Sequence, residues 1–137
     1  MPHLATTFAM LPLIAVIAAA LVVVGSLGPW AEALGFLTVN GTDGDGVMTL
    51  VLGVGAGAAM TPLVVRPRQR VWLAAIAALC FLLAGTIGLY DWVNFTRMVS
   101  ETQVRGLVSL RWGLPLLTVS AVVGLIVSGI HFLNEIR

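Results

Sequence analysis

Two aspartates separated by one residue form the most conspicuous polar motif of the sequence. The segment Asp43-Gly44-Asp45-Gly46 sets two carboxylates among glycines, as a calcium-binding loop of the D-x-D-G kind begins. Such a loop also needs further oxygen ligands and a distant glutamate, whereas here an apolar stretch starts at Val47. Calcium binding by Asp43 and Asp45 is therefore the less favoured interpretation. The favoured one is a turn in which the Asp45 carboxylate caps the helix that follows.

The other reactive side chains form no recognisable catalytic set. The two histidines, His3 and His131, lie near the two ends of the chain. The single cysteine, Cys80, lies within an apolar run and predicts neither an intrachain disulfide nor a cysteine-rich metal site. We therefore expect no enzymatic activity, no cofactor and no metal centre.

The composition is typical of an integral membrane protein. Hydrophobic residues make up 59% of the 137 residues and charged residues only 9%, whereas about a quarter of a soluble domain is charged. The formal net charge is +1 and the sequence has no lysine. A basic surface for nucleic acid is therefore not expected.

Four apolar stretches are long enough to cross a bilayer as helices, at residues 8–27, 47–65, 71–90 and 113–132. None contains Asp, Glu, Arg or Lys. Since backbone groups in hydrocarbon must bond internally, each stretch must be helical. The sequence thus predicts an all-α four-helix transmembrane bundle, with residues 1–137 as a single domain.

The charges outside the spans predict an orientation. The second connection, Arg66-Pro67-Arg68-Gln69-Arg70, is short and basic, which assigns it to the cytoplasm under the positive-inside rule. Both termini would then be cytoplasmic in a plasma (inner) membrane. The first connection, residues 28–46, carries three acids and no basic residue. We expect residues 29–37 and 94–110 to form a short extracytoplasmic cap.

Tryptophans flank the predicted spans, where their amphipathic rings can anchor a helix at the membrane interface. Trp30, Trp92 and Trp112 would lie at the outer interface and Trp72 at the inner one.

Small residues recur at helical spacing in the second and fourth spans. Gly53 and Gly57 form a GxxxG motif, and Ser120, Gly124 and Ser128 repeat every four residues. Such spacing lets helices approach closely. The motifs predict either tight packing within one bundle, which we favour, or a docking face for another protein.

Three short motifs carry a family resemblance: Gly28-Pro29-Trp30-Ala31, Gly41-Thr42-Asp43-Gly44-Asp45-Gly46 and Trp112-Gly113-Leu114. In these the chain resembles uncharacterised small bacterial four-span integral membrane proteins with a GPWA…GTDGDG outer loop, which implies the same architecture and a bacterial origin. Its topology is also similar to that of claudins, although the cysteines of the claudin loop are missing.

Packing motifs without catalytic residues favour a non-catalytic accessory or scaffold subunit. Its partners would be a larger membrane protein complex and lipids. The alternative is a homo-oligomeric channel or carrier for a neutral or lipidic solute, in which glycine carbonyls coordinate the solute.

Overall fold

The computed structural model describes residues 2–101 and 106–137. Helices make up most of these residues, and three short strands and a turn of 3-10 helix lie between them. In chain order the elements are α1 (Pro2–Leu27), β1 (Pro29–Ala33), β2 (Leu37–Asn40), the 3-10 turn (Gly41–Asp43), α2 (Gly46–Val65), α3 (Trp72–Glu101), β3 (Val108–Leu110) and α4 (Gly113–Ile136).

The helices form a four-membered ring. Each packs against its neighbours in sequence, and α4 closes the ring against α1. All four are long and apolar enough to cross a membrane, and most of each spanning window faces outward from the bundle. Because exposed aliphatic surface of this extent is stable in lipid and not in water, the described helices are those of a multi-pass membrane protein.

The third helix is longer than expected. The predicted span ends at residue 90, but α3 continues to Glu101 and includes residues 94–101, which the sequence assigns to the cap. Its 30 residues correspond to about 45 Å, compared with about 30 Å of hydrocarbon. The helix α3 is therefore longer than is needed to cross the hydrocarbon, and its end extends beyond it. Residues 102–105 of the expected cap lie outside the described residues.

The centre of the ring is filled by small residues around a few large side chains. Phe81 and Met60 are the largest fully buried side chains. Alanines supply much of the remaining core on every helix, among them Ala15, Ala56 and Ala77. Small residues bring the backbones close, so dispersion contacts between helices replace the hydrophobic driving force that a membrane does not supply.

The cap is a small antiparallel sheet, which differs from the expectation of an all-α chain. Its strand order is β2-β1-β3. Ala31 is opposite Val39 on one side and Leu110 on the other, and the register with β2 shifts between Pro29 and Ala31. The strands, of five, four and three residues, are far too short to span a bilayer, so the four-helix prediction for the membrane itself stands.

The two ends of the bundle differ in character. We call the end that carries the sheet, with the last turns of α1 and α3 and the first turns of α2 and α4, the cap end. The opposite end holds residues 66–71 between α2 and α3, the start of α1 and the last turns of α4. We call it the arginine end, after Arg66, Arg68 and Arg70.

Candidate functional site

Trp30 fixes the cap sheet onto the bundle. Its side chain is only 8% exposed, and its indole Nε1 donates a hydrogen bond to the carbonyl oxygen of Gly25, 2.9 Å away. Gly41 lies directly against the ring, because a Cβ at position 41 would clash with the ring and with the Ser26 carbonyl. Trp30 therefore contacts protein and not lipid.

The other predicted tryptophan anchors differ in their surroundings. Trp72 at the arginine end and Trp112 at the cap end are both more than half exposed, whereas Trp92 is half-buried. The ring of Trp112 packs close to Gly28. The interfacial role of Trp72 and Trp112 stays a prediction.

Two buried hydroxyls join α1 to α2 below the sheet. The oxygens of Ser26 and Thr49 are 2.8 Å apart and share a hydrogen bond. Ser26 also contacts the Val22 carbonyl and Thr49 the Gly46 carbonyl, at 2.8 and 3.0 Å. Polar groups buried in an apolar bundle need such partners, so this cluster fixes the relative position of the two helix ends.

The two aspartates of the predicted turn have separate roles. An oxygen of the Asp43 carboxylate accepts a hydrogen bond from the Asn40 backbone N–H at 2.9 Å and closes the 3-10 turn. Asp45 occupies the position before α2, but the expected capping hydrogen bond is absent. The reason is its helical backbone (φ −69°, ψ −6°), whereas a capping side chain needs an extended backbone at that position.

The Asp45 side chain instead shares a cavity with Asp91. This cavity has a volume of about 310 Å³, and its walls include Trp30, Phe95 and Leu114. One Asp91 carboxylate oxygen, Oδ2, is buried without a hydrogen-bond partner among the described residues. Two carboxylates in one small cavity repel anions and favour a proton or a cation.

Asp91 is a residue that the sequence does not single out as part of a site. It directly follows the predicted limit of the third span, which places it in a connection. The spacing of the buried positions on α3 nevertheless contains a signal for it. Asp91 continues the three- and four-residue spacing of Phe81, Ala84 and Gly88, all of which are buried. That spacing places Asp91 on the inward face of the helix.

The aspartates do not form a cation site of known type. Among residues 2–101 and 106–137, no three His, Cys, Asp or Glu side chains come together in a way that would hold a metal ion. Asp43 and Asp45 are turned to different neighbours, Asn40 and the Asp91 cavity. Calcium binding there thus gains no geometric support.

The small residues predicted for packing or docking face other helices of the same chain. A Cβ at Gly53 would come within 2.9 Å of Val22, and one at Gly57 within 3.4 Å of Ala19, so both glycines face α1. A Cβ at Gly124 would clash with the Phe81 ring of α3. Ser120 and Ser128 are buried as well, with the Ser128 hydroxyl donating to the Gly124 carbonyl at 2.6 Å.

The tip of the β1–β2 hairpin is the most exposed apolar feature of the cap. Phe36 is 73% exposed, and Leu34, Leu37 and Val39 are about half exposed. Leu34 and Gly35 both have positive φ, of 57° and 77°, as a type I′ turn requires. Asn, Asp or Gly is usual in such a turn, and a leucine costs about 1–2 kcal/mol there. A strained leucine beside an exposed phenylalanine makes this tip a candidate interaction site.

Three contacts hold the hairpin against residues 107–111, which precede α4. The Arg111 Nε lies 3.1 Å from a carboxylate oxygen of Glu32 on β1. The Arg111 backbone N–H donates to the Trp30 carbonyl at 2.9 Å, and the Leu34 N–H donates to the Leu107 carbonyl. The strand that leads to the apolar tip is therefore bonded on its other edge to residues 107–111.

Comparisons with protein-family models, curated proteins and solved structures gave no match. The resemblance to small bacterial four-span proteins therefore stays a prediction, and the contacts of the cap and of the bundle carry the functional conclusion.

Proposed function

We propose that this chain is a non-catalytic accessory or scaffold subunit of a larger bacterial membrane protein complex, and that it docks through the hairpin tip at residues 34–39. In this proposal the chain lies in the plasma membrane with both termini in the cytoplasm. The observation that carries it is the exposed apolar tip at the cap end, which contains a strained leucine.

The packing of the bundle supports a docking role for the cap over one for the small-residue motifs. Gly53, Gly57 and Gly124 already contact helices of the same chain. Gly53 and Gly124 are buried, so a partner could reach these two only if the ring opened, whereas Gly57 is half-buried. The hairpin tip needs no such rearrangement, because its apolar side chains are already exposed and its backbone is held by β1, β3 and Arg111.

The filled bundle centre argues against a solute path through a single chain. Phe81 and Met60 occupy the middle of the ring, and Phe81 lies directly against Gly124. A solute path through one chain would require these side chains to move out of a closely packed core.

Photo-crosslinking from position 36 in cells tests the proposal. Phe36 would be replaced by a photoreactive phenylalanine analogue, and the adduct would be identified by mass spectrometry. We expect one discrete adduct with a larger membrane protein. The matched control is the same analogue in place of Trp72, a similarly exposed aromatic residue at the arginine end, which should not give that adduct.

A second variant tests whether the contact stabilises the complex. Phe36→Ser should reduce co-purification of the crosslinked partner at least about tenfold, since apolar anchors dominate interface energies, while the amount of the chain in the membrane stays unchanged. An adduct with lipid alone, an adduct with a second copy of the chain, or no adduct would each contradict the proposal.

A further inference from the structure

A second cavity lies at the arginine end, remote from the cap. Its volume is about 870 Å³, and it is bounded by the start of α1, the connection between α2 and α3, and the end of α4. Sites for small organic ligands have volumes of about 300–1,000 Å³. The cavity is therefore large enough for a lipid headgroup.

The charge of this cavity is predominantly positive. Arg66, Arg68 and Arg137 line it, and Glu135 contributes the one acidic side chain among the described residues of its walls. The Nε of Arg68 lies 3.6 Å from a Glu135 carboxylate oxygen, and the Arg68 side chain is 93% exposed. A guanidinium has five N–H donors, so this one long contact leaves most of the Arg68 donors available to a further acceptor.

A hydrogen-bonded turn positions the arginines. The Gln69 backbone N–H donates to the Arg66 carbonyl at 3.1 Å, with Pro67 as the second residue of the turn, where its fixed φ is favourable. The Gln69 side chain also accepts a hydrogen bond from Arg66 Nη1 at 3.1 Å. A preformed turn reduces the entropy lost when the arginines bind an anion.

One wall of the cavity is apolar and adjoins a spanning helix. Phe8 and Ala9 of α1 contribute this wall, and both belong to the candidate span that starts at Thr6. The cavity thus lies where the apolar surface of a spanning segment meets charged side chains. A ligand that matches both parts has an anionic head and hydrocarbon chains.

The geometry points to a binding site for an anionic phospholipid at the arginine end. The lipid phosphate accepts hydrogen bonds from the Arg66 and Arg68 guanidiniums, and an acyl chain lies against Phe8 and the outward face of α1. Arginine pairs with phosphate through two parallel hydrogen bonds, and basic pockets between spanning helices bind anionic lipid headgroups. Among the described residues that line the cavity, only Glu135 could pair with the cationic group of a zwitterionic lipid, and it already faces Arg68.

Lipid titration of the purified full chain, followed by native mass spectrometry, tests this site. The probes are phosphatidylglycerol and phosphatidylcholine with the same acyl chains. We expect phosphatidylglycerol to bind at least about tenfold more tightly, and the double variant Arg66→Gln/Arg68→Gln to remove that preference. The control Arg97→Gln, which changes an exposed arginine on the last turns of α3, should leave the preference unchanged.

Two further measurements separate lipid binding from misfolding and from a site for phosphate alone. Glu135→Gln removes the acidic side chain that competes for Arg68 and should strengthen phosphatidylglycerol binding, a gain that misfolding would not produce. Inorganic phosphate in large excess should not displace the lipid. Equal binding of the two lipids, equal loss in Arg97→Gln, weaker binding in Glu135→Gln, or displacement by free phosphate would each overturn the inference.

Discussion

The cap end and the arginine end of the bundle connect helices in opposite ways. At the cap end, paired strands and the buried Trp30 build a rigid platform that presents an apolar tip. At the arginine end, a single short turn joins α2 to α3 and presents exposed guanidiniums. Buried contacts determine the structure of the cap end, whereas exposed charge is the main feature of the arginine end. Substitutions of buried residues at the cap end should therefore affect folding, whereas substitutions of Arg66 and Arg68 at the arginine end should affect ligand binding.

The largest difference in stability should be found between alanine substitutions at two glycines of the same turn region. In Gly41→Ala the new methyl group would clash with Trp30 and the Ser26 carbonyl, and should destabilise the chain by about 2–3 kcal/mol. Gly44 has open space around its Cβ position, so Gly44→Ala should change stability by less than about 0.5 kcal/mol. Thermal unfolding in detergent measures both, and equal effects would contradict the packing described for Trp30.

Matched tryptophan substitutions test the two ends directly. Trp30→Phe removes the hydrogen bond to the Gly25 carbonyl and leaves a gap in the cap, which should cost about 2 kcal/mol. Trp72 is more than half exposed, so Trp72→Phe should have little effect on unfolding. If Trp72→Phe were the more damaging variant, the assignment of buried contacts to the cap end would be wrong.

Backbone strain is a property that both ends share. Leu34 in the hairpin and Arg70 after the arginine turn have φ values of 57° and 63°. Asparagine tolerates this conformation well, so Leu34→Asn and Arg70→Asn should each stabilise the chain by about 0.5–1 kcal/mol. Leu107→Asn, at an exposed leucine without positive φ, is the control and should not stabilise. If the melting temperature fell in both variants, the backbone strain inferred at Leu34 and Arg70 would be wrong.

The smallest effects should come from the two ion pairs. Arg111→Gln breaks the 3.1 Å contact with Glu32 and should cost less than about 1 kcal/mol because the pair is partly exposed. Arg68→Gln breaks a 3.6 Å contact of a side chain that is 93% exposed, so no change in the unfolding midpoint is expected. Repeating both measurements at high salt should abolish the Arg111 effect.

The spanning helices could be predicted because their signal is local. Length and apolar content alone decide whether a segment can cross hydrocarbon. The cap sheet could not be predicted in the same way, since its strands are short and β3 pairs with β1 across the intervening helices α2 and α3. Pairing over such a separation leaves no periodic pattern in either segment.

The surroundings of individual side chains could also not be predicted from the sequence. A tryptophan at a span end can face lipid or protein, and only the three-dimensional packing shows that Trp30 is buried, with Gly41 against its ring. Asp45 lies where a helix cap belongs, but its backbone conformation directs the carboxylate away from the helix. Asp91 follows the periodicity of buried positions on α3, which hydropathy alone does not reveal.

The central position of β1 in the sheet has a consequence for biogenesis. As the chain is made, β1 can pair with β2 at once, but its other edge has no partner until residues 108–110 emerge after α3. An open strand edge is a site at which other chains can pair. The cap sheet is thus completed by β3 only after the third helix has been made. A chain whose synthesis or insertion stops before that point would expose the free edge of β1, which quality-control proteases or chaperones can recognise.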